Sequence, residues 1–151
     1  YDTPFTGTTL RLTIWKHCYN ILDRGNDWLF GVGISDFQNL LNTEYINSGM
    51  YVGNPTLKDT GYLGYGPHNQ YIETIFSLGY IGLLIFILML IRQLIFAFKS
   101  FNNLYVLFIF LNLFFFLSES SLSTNKGIVF YMFFTMIFSS LSHSYKTENK
   151  E

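Results

Sequence analysis

Residues 75–98, IFSLGYIGLLIFILMLIRQLIFAF, contain one charge, Arg92, in 24 positions. About 20 consecutive apolar residues cross the hydrocarbon core of a bilayer, and in that core the backbone must satisfy its own polar groups. The run therefore predicts a transmembrane helix, with Arg92 near its far end and able to snorkel to the interface. Two further apolar stretches follow, residues 101–118 (FNNLYVLFIFLNLFFFLS) and residues 127–141 (GIVFYMFFTMIFSSL), the second of them short. The expected fold class is an all-α membrane protein: a multi-pass helical bundle of spans 75–98, 101–118 and 127–141. A partly helical extracytoplasmic loop, residues 1–74, precedes them, and a cytoplasmic tail, residues 142–151, closes the chain.

Charge supports that reading and sets a direction. Only 13% of residues are charged, against about 25% in soluble domains, and the scarcity is concentrated in residues 76–141. With the first loop outside, the inner segments hold Arg92, Lys99, Lys146 and Lys150, and the later outer loop holds Lys126. The excess of positive charge inside favours this orientation. Arg11, Lys16, Arg24 and Lys58 of the first loop weigh less, because long loops translocate largely regardless of charge. A net charge of −1 lacks the basic field that nucleic acid requires, so no nucleic-acid partner is expected. The chain begins at Tyr1 with no basic, signal-like leader, and further membrane segments are expected upstream.

The outer segment shows less regular signals. TTLRLTIWKHCYNIL reads as a helix capped by Thr8 or Thr9, with Arg11, Trp15, Cys18 and Leu22 on one stripe. An arginine on that stripe has two readings: a guanidinium stacked on Trp15, or a cation turned inward toward an anionic ligand. Cys18 is the only cysteine, which excludes an internal disulfide and a Cys-based zinc site and suits a small packed side chain. FGVGISDF is a glycine-punctuated turn, and Asp36 is expected to cap a short helix, FQNLLNTEYIN. Residues 49–66 hold five glycines without periodicity and read as an irregular loop. No GxGxxG, GKS/T or DxD pattern is present, so neither a phosphate-binding loop nor a metal–nucleotide-sugar site is expected.

The junction of the two parts, YGPHNQYIETIFSLGYIGLL, holds the most specific pattern. Pro67 suits the first turn of a helix. If that helix runs unbroken into the apolar stretch, steps of about 100° place His68, Ile72, Ile75, Gly79, Gly82 and Phe86 on one stripe. Glycines on a membrane helix mark a closely packed face. His68 would then point toward protein, about 16 Å above Gly79, where unpaired first-turn N–H groups favour an anion. One reading is a cap that contacts interfacial water. The other is a titratable group aimed at a substrate carried in the bilayer. Spacing alone gives a direction and no chemistry.

His68-Asn69, nine residues, Gly79, two residues and Gly82 resemble the H-[NSQ]-x9-G-x-x-[GTY] signature of the O-antigen ligase and polymerase superfamily. RLTIW (Arg11, Trp15), WLFGVGISDF and SESSLSTNKGIVFYMFF resemble other segments of that family in the same order, over about residues 8–140. The resemblance implies the carboxy-terminal portion of a GT-C-like, inverting, metal-independent glycosyltransferase of a bacterial inner membrane, with residues 1–74 on the periplasmic side and no cofactor. Its donor would be a polyprenyl-diphosphate-linked glycan. Its acceptor would be a hydroxyl on lipid A-core or on another glycan. His68 would be the general base and Arg11 the cation holding the diphosphate, with Trp15 and Asn69 lining the substrate site. Gly79 and Gly82 would be structural, and so in its usual role would Glu119, which could also pair with a cation near the outer face. The family also uses an arginine from an upstream segment, which this chain does not place. A diphosphate leaving group needs fixed positive charge, and an imidazole near neutral pKa suits proton abstraction. A polymerase of the same superfamily would use the same groups. A non-catalytic scaffold or transporter subunit is the reading from another class, and transport is disfavoured because Arg92 is the only charge within the spans.

Overall fold

The structure, a computed structural model, describes residues 6–100 and 102–148. Tyr1, Phe101 and the end of the expected tail, including Lys150, lie outside the described residues. Among them are five α-helices, two short 3-10 turns and no strand: α1 (Gly7–Gly25), α2 (Phe37–Asn47), α3 (Gln70–Lys99), α4 (Asn103–Ser118) and α5 (Asn125–Glu148), with the turns Pro55–Leu57 and Ser121–Ser123.

The start of α1 is set by Thr6, not Thr8 or Thr9. Its side chain accepts from the Thr9 N–H, three positions on, where a cap takes up an orphan donor. Left-handed Asn26 closes the helix at φ 56°. The buried face of α1 runs through Ile14, His17, Cys18, Ile21 and Leu22, with Arg11 and Trp15 half-buried along its margin. α2 begins where expected, yet the Asp36 carboxylate makes no capping bond. Leu41 and Tyr45 of α2 pack with the α1 face and with Phe76 of α3 in one core. Cys18 lies inside it as a small packed group, and burial pushes its thiol up to about 12.

The unbroken helix expected from Pro67 does not form, and the correction has two parts. First, α3 begins at Gln70, because Asn69 takes the cap. Asn69 sits in extended geometry (φ −157°, ψ 113°) and its Oδ1 accepts from the Tyr71 and Ile72 N–H groups. His68 lies outside the helix at φ 48°. Second, Gly79 adopts φ 68°, ψ −168° and breaks the helix into residues 70–78 and 80–99. That region of backbone space is open essentially to glycine alone. The break is sharp. The rings of Tyr71 and Phe86 stand 5.8 Å apart, where fifteen positions of straight helix would separate them by about 22 Å.

The polar groups freed by the break are paired with the segment 28–33. Tyr80 N donates to Trp28 O at 2.8 Å and Ile81 N to Leu29 O at 3.3 Å. Val32 N donates to Phe76 O at 2.9 Å and Gly33 N to Ser77 O at 3.0 Å. A Cβ on Gly79 would come within 2.5 Å of the Phe30 nitrogen, and one on Gly31 within 2.5 Å of the Leu78 nitrogen. Both glycines let two backbones touch.

By length and composition, α3 is the one helix among the described residues apolar and long enough to cross a membrane. Residues 80–99 alone rise about 30 Å. α4 and Asn125–Leu141 of α5 are apolar but shorter. α5 also continues past the expected boundary at 141 to Glu148. The lower bundle is packed by Leu90, Phe116 and Tyr131, and by Ala97, Tyr105 and Ile109.

Candidate active site where three segments meet

The cap of α3 is held against the turn that joins α4 to α5. Asn69 Nδ2 donates to Leu117 O at 3.0 Å, and Asn69 N donates to Ser120 Oγ at 3.1 Å. Gln70 Oε1 accepts from Leu122 N at 2.8 Å, and Tyr71 OH donates to Leu113 O at 3.2 Å. α1 reaches the same place from the other side, where Trp15 Nε1 donates to Pro67 O at 2.7 Å. Asn69, Gln70 and Phe116 are buried, so these bonds act in a largely dry setting.

These links bring His68 and Arg11 onto one carboxylate. Glu119, the residue after α4, places Oε2 3.2 Å from His68 Nδ1 and Oε1 3.4 Å from Arg11 Nη2. The three side chains come from positions 51 and 108 residues apart. They are not sealed: His68 is 40% exposed, Arg11 37% and Glu119 43%. The ion pair itself therefore adds about 1 kcal/mol or less to stability. Its value is geometric.

With the proton on Nδ1, the imidazole donates to Glu119 and leaves Nε2 as a proton acceptor. Nε2 has no hydrogen-bond partner among the described residues. Arg11 has five N–H donors and spends one of them on Glu119, so the others can face an anion. The Tyr65 ring lies 6.4 Å from the imidazole, and Tyr65 is fixed through its carbonyl, which accepts from Tyr45 OH at 2.8 Å. Among the described residues no group of three or more His, Cys, Asp and Glu side chains is arranged to hold a metal.

Of the residues singled out from the sequence, Arg11, Trp15, His68, Asn69 and Glu119 converge. Trp15 and Asn69 act on backbone here, positioning Pro67 and the α4 turn. Gly79 and Gly82 do not continue a helical stripe from His68, since His68 lies outside α3 and the helix breaks at Gly79. Tyr71, three positions after His68, meets Phe86 from beyond the break, and Phe86 meets Phe116 in turn. Glu119 is more than a remote structural charge, as it touches both candidate groups. Sequence reasoning missed Ser120, Gln70 and Tyr65. A half-buried second carboxylate, Glu73, also lies close by and accepts from Ser123 Oγ. Two clefts, of 390 Å³ by Arg24, Asp27 and Glu44 and of 340 Å³ by Met89, Tyr131 and Met136, lie elsewhere. No family model, curated protein or solved structure matches this chain.

Proposed function

We propose that this chain carries part of the active site of a membrane glycosyltransferase that moves a glycan from a polyprenyl diphosphate to an acceptor hydroxyl. The supporting observation is the Arg11–Glu119–His68 cluster, in which one carboxylate holds a guanidinium and an imidazole beside an apolar helix long enough to span a bilayer. His68 Nε2 takes the acceptor proton as the hydroxyl oxygen attacks the anomeric carbon. The bond from that carbon to the diphosphate oxygen breaks, configuration inverts, and the diphosphate leaves with its charge held by Arg11. Glu119 keeps the imidazole in the required tautomer and stabilises the imidazolium that forms. Phosphate competes with Glu119 for Arg11, so donor binding releases the carboxylate to His68 alone. Glu73 and Glu119 outweigh Arg11 here, which fits a site completed by a cation from outside this chain.

In this reading α4 and α5 are further spans and residues 1–74 face outward. A prenyl diphosphate suits the site because its head group sits at an interface and its tail lies in hydrocarbon beside the exposed face of α3. The acceptor decides between ligase and polymerase, and both use the same three side chains.

The test uses the full-length protein in membranes supplied with a polyprenyl-diphosphate glycan. His68→Ala and Arg11→Ala are each expected to abolish transfer while membrane insertion is retained. Normal transfer by either variant removes the role given to that residue. Longer lipid-linked chains formed without lipid A-core would identify a polymerase.

A further inference from the structure

The segment 28–34, WLFGVGI, does more than fill the break in α3. Leu29, Phe30 and Ile34 are large, apolar and 59%, 73% and 74% exposed. Yet the segment is anchored by the four hydrogen bonds that join Trp28, Leu29, Val32 and Gly33 to Tyr80, Ile81, Phe76 and Ser77, and by Gly31 N donating to Asp27 O at 2.7 Å. A loop anchored at these points and left with bare, neighbouring apolar side chains is unsuited to water.

Two observations name what covers it. The exposed side chains continue onto the apolar arm of α3: Leu29 is bonded through its carbonyl to Ile81, and Ile81, Leu84, Ile85 and Leu88 follow as exposed residues. The junction is also marked by an aromatic ladder. Tyr19 meets Trp28 edge-on at 5.2 Å, and Trp28 stacks on Tyr80 at 5.5 Å with 16° between planes. Amphipathic rings of this kind favour the head-group level of a bilayer. Asp23, Asn26 and Asp27 sit just before the loop in the chain, with Asp23 and Asn26 exposed.

We propose that residues 28–34 form a wedge inserted in the outer leaflet, with Leu29, Phe30 and Ile34 among acyl chains and Tyr19, Trp28 and Tyr80 at the head groups. The partner is the lipid surface itself. The wedge holds α1, and with it Arg11, at a set height over the bilayer. It rests on the membrane-spanning reading of residues 80–99 and is independent of any transfer chemistry.

The test places a nitroxide on Phe30→Cys, Leu84→Cys or Lys58→Cys in a Cys18→Ala background of the full chain, reconstituted in phosphatidylcholine vesicles. Collisions with oxygen, which partitions into lipid, are compared with collisions with a water-soluble nickel chelate. Phe30→Cys is expected to match Leu84→Cys, with an oxygen-to-nickel ratio severalfold above that of Lys58→Cys. A ratio at position 30 equal to that at 58, with position 84 in lipid, overturns the wedge alone. Protection of position 30 from both reagents means that protein covers it, which also overturns the wedge. Nickel access at position 84 overturns the spanning reading together with it. Brominated lipids provide a second readout that keeps Cys18: Trp28 fluorescence in a Trp15→Phe background should be quenched most by bromines near the head groups, and absence of quenching overturns the proposal.

Discussion

At the scale of the residue, Glu119 is the instructive case. A carboxylate at the end of an apolar helix reads from sequence as a structural charge, because its partners lie at Arg11 and His68, far away along the chain. Its effect should appear in turnover, not binding. Glu119→Gln keeps size and polarity but cannot stabilise an imidazolium or offset Arg11. Under the proposed reaction kcat should fall about 100-fold, with the KM for the lipid-linked donor unchanged or lower, as measured by steady-state kinetics of glycan transfer. A rise in KM with kcat intact would assign Glu119 to donor binding. Gly79 makes the converse point. The sequence marks it as special, but for helix packing, whereas its backbone geometry and the Leu29 and Phe30 main chain against it leave no room for a Cβ. Gly79→Ala should cost about 3 kcal/mol or more, seen as a lowered thermal midpoint in detergent. Gly7→Ala, which meets no neighbouring atom, should be close to neutral.

At the scale of the element, the decisive competition was between two helix-start signals two residues apart. Pro67 is compatible with a first turn, but Asn69 offers an acceptor for two orphan N–H groups and a donor for Leu117 O, and the buried position rewards all three. Asn69→Ala should therefore destabilise the fold by about 2 kcal/mol or more and displace His68 in the same step, which transfer assays and denaturation together would register. The joint of α1 and α2 holds a pH-sensitive feature. His17 is buried beside Tyr45, with Nε2 3.5 Å from Ser48 Oγ. Its Nδ1 lies 3.7 Å from Glu44 Oε1, beyond hydrogen-bonding reach, while Glu44 is engaged by Arg24. Burial holds the imidazole below its ordinary value of 6.5, with Lys16 and Arg24 adding to the effect and Glu44 opposing it. The unfolded chain then takes up a proton before the folded one does. Stability from this group is complete above about pH 6.5 and is lost as pH falls below it. Thermal unfolding followed from pH 8 to pH 5 should show that decline, and His17→Gln should flatten it.

At the scale of the whole molecule, α1 and α2 on one side and α4 and α5 on the other meet along the broken α3, and the proposed topology puts residues 58 and 103 on opposite sides of the bilayer. In intact cells a membrane-impermeant thiol reagent should label Lys58→Cys and spare Asn103→Cys until the membrane is opened. Labelling of both from outside would overturn the orientation. The helical class was legible in the chain: residues 75–98, with one charge in 24, read as apolar helix, and α3 is apolar and long enough to cross a membrane, though broken at Gly79. The short helix after Asp36, the irregular stretch 49–66 and the packed Cys18 were equally local matters of period, glycine and apolarity. Tertiary structure decided the rest. The fold of α3 back on itself at Gly79 depends on backbone donors and acceptors supplied by residues 28–33, and the convergence of Arg11, His68 and Glu119 depends on that fold. Periodicity describes one continuous element at a time, and it carries no information about a hydrogen-bond partner some fifty residues away.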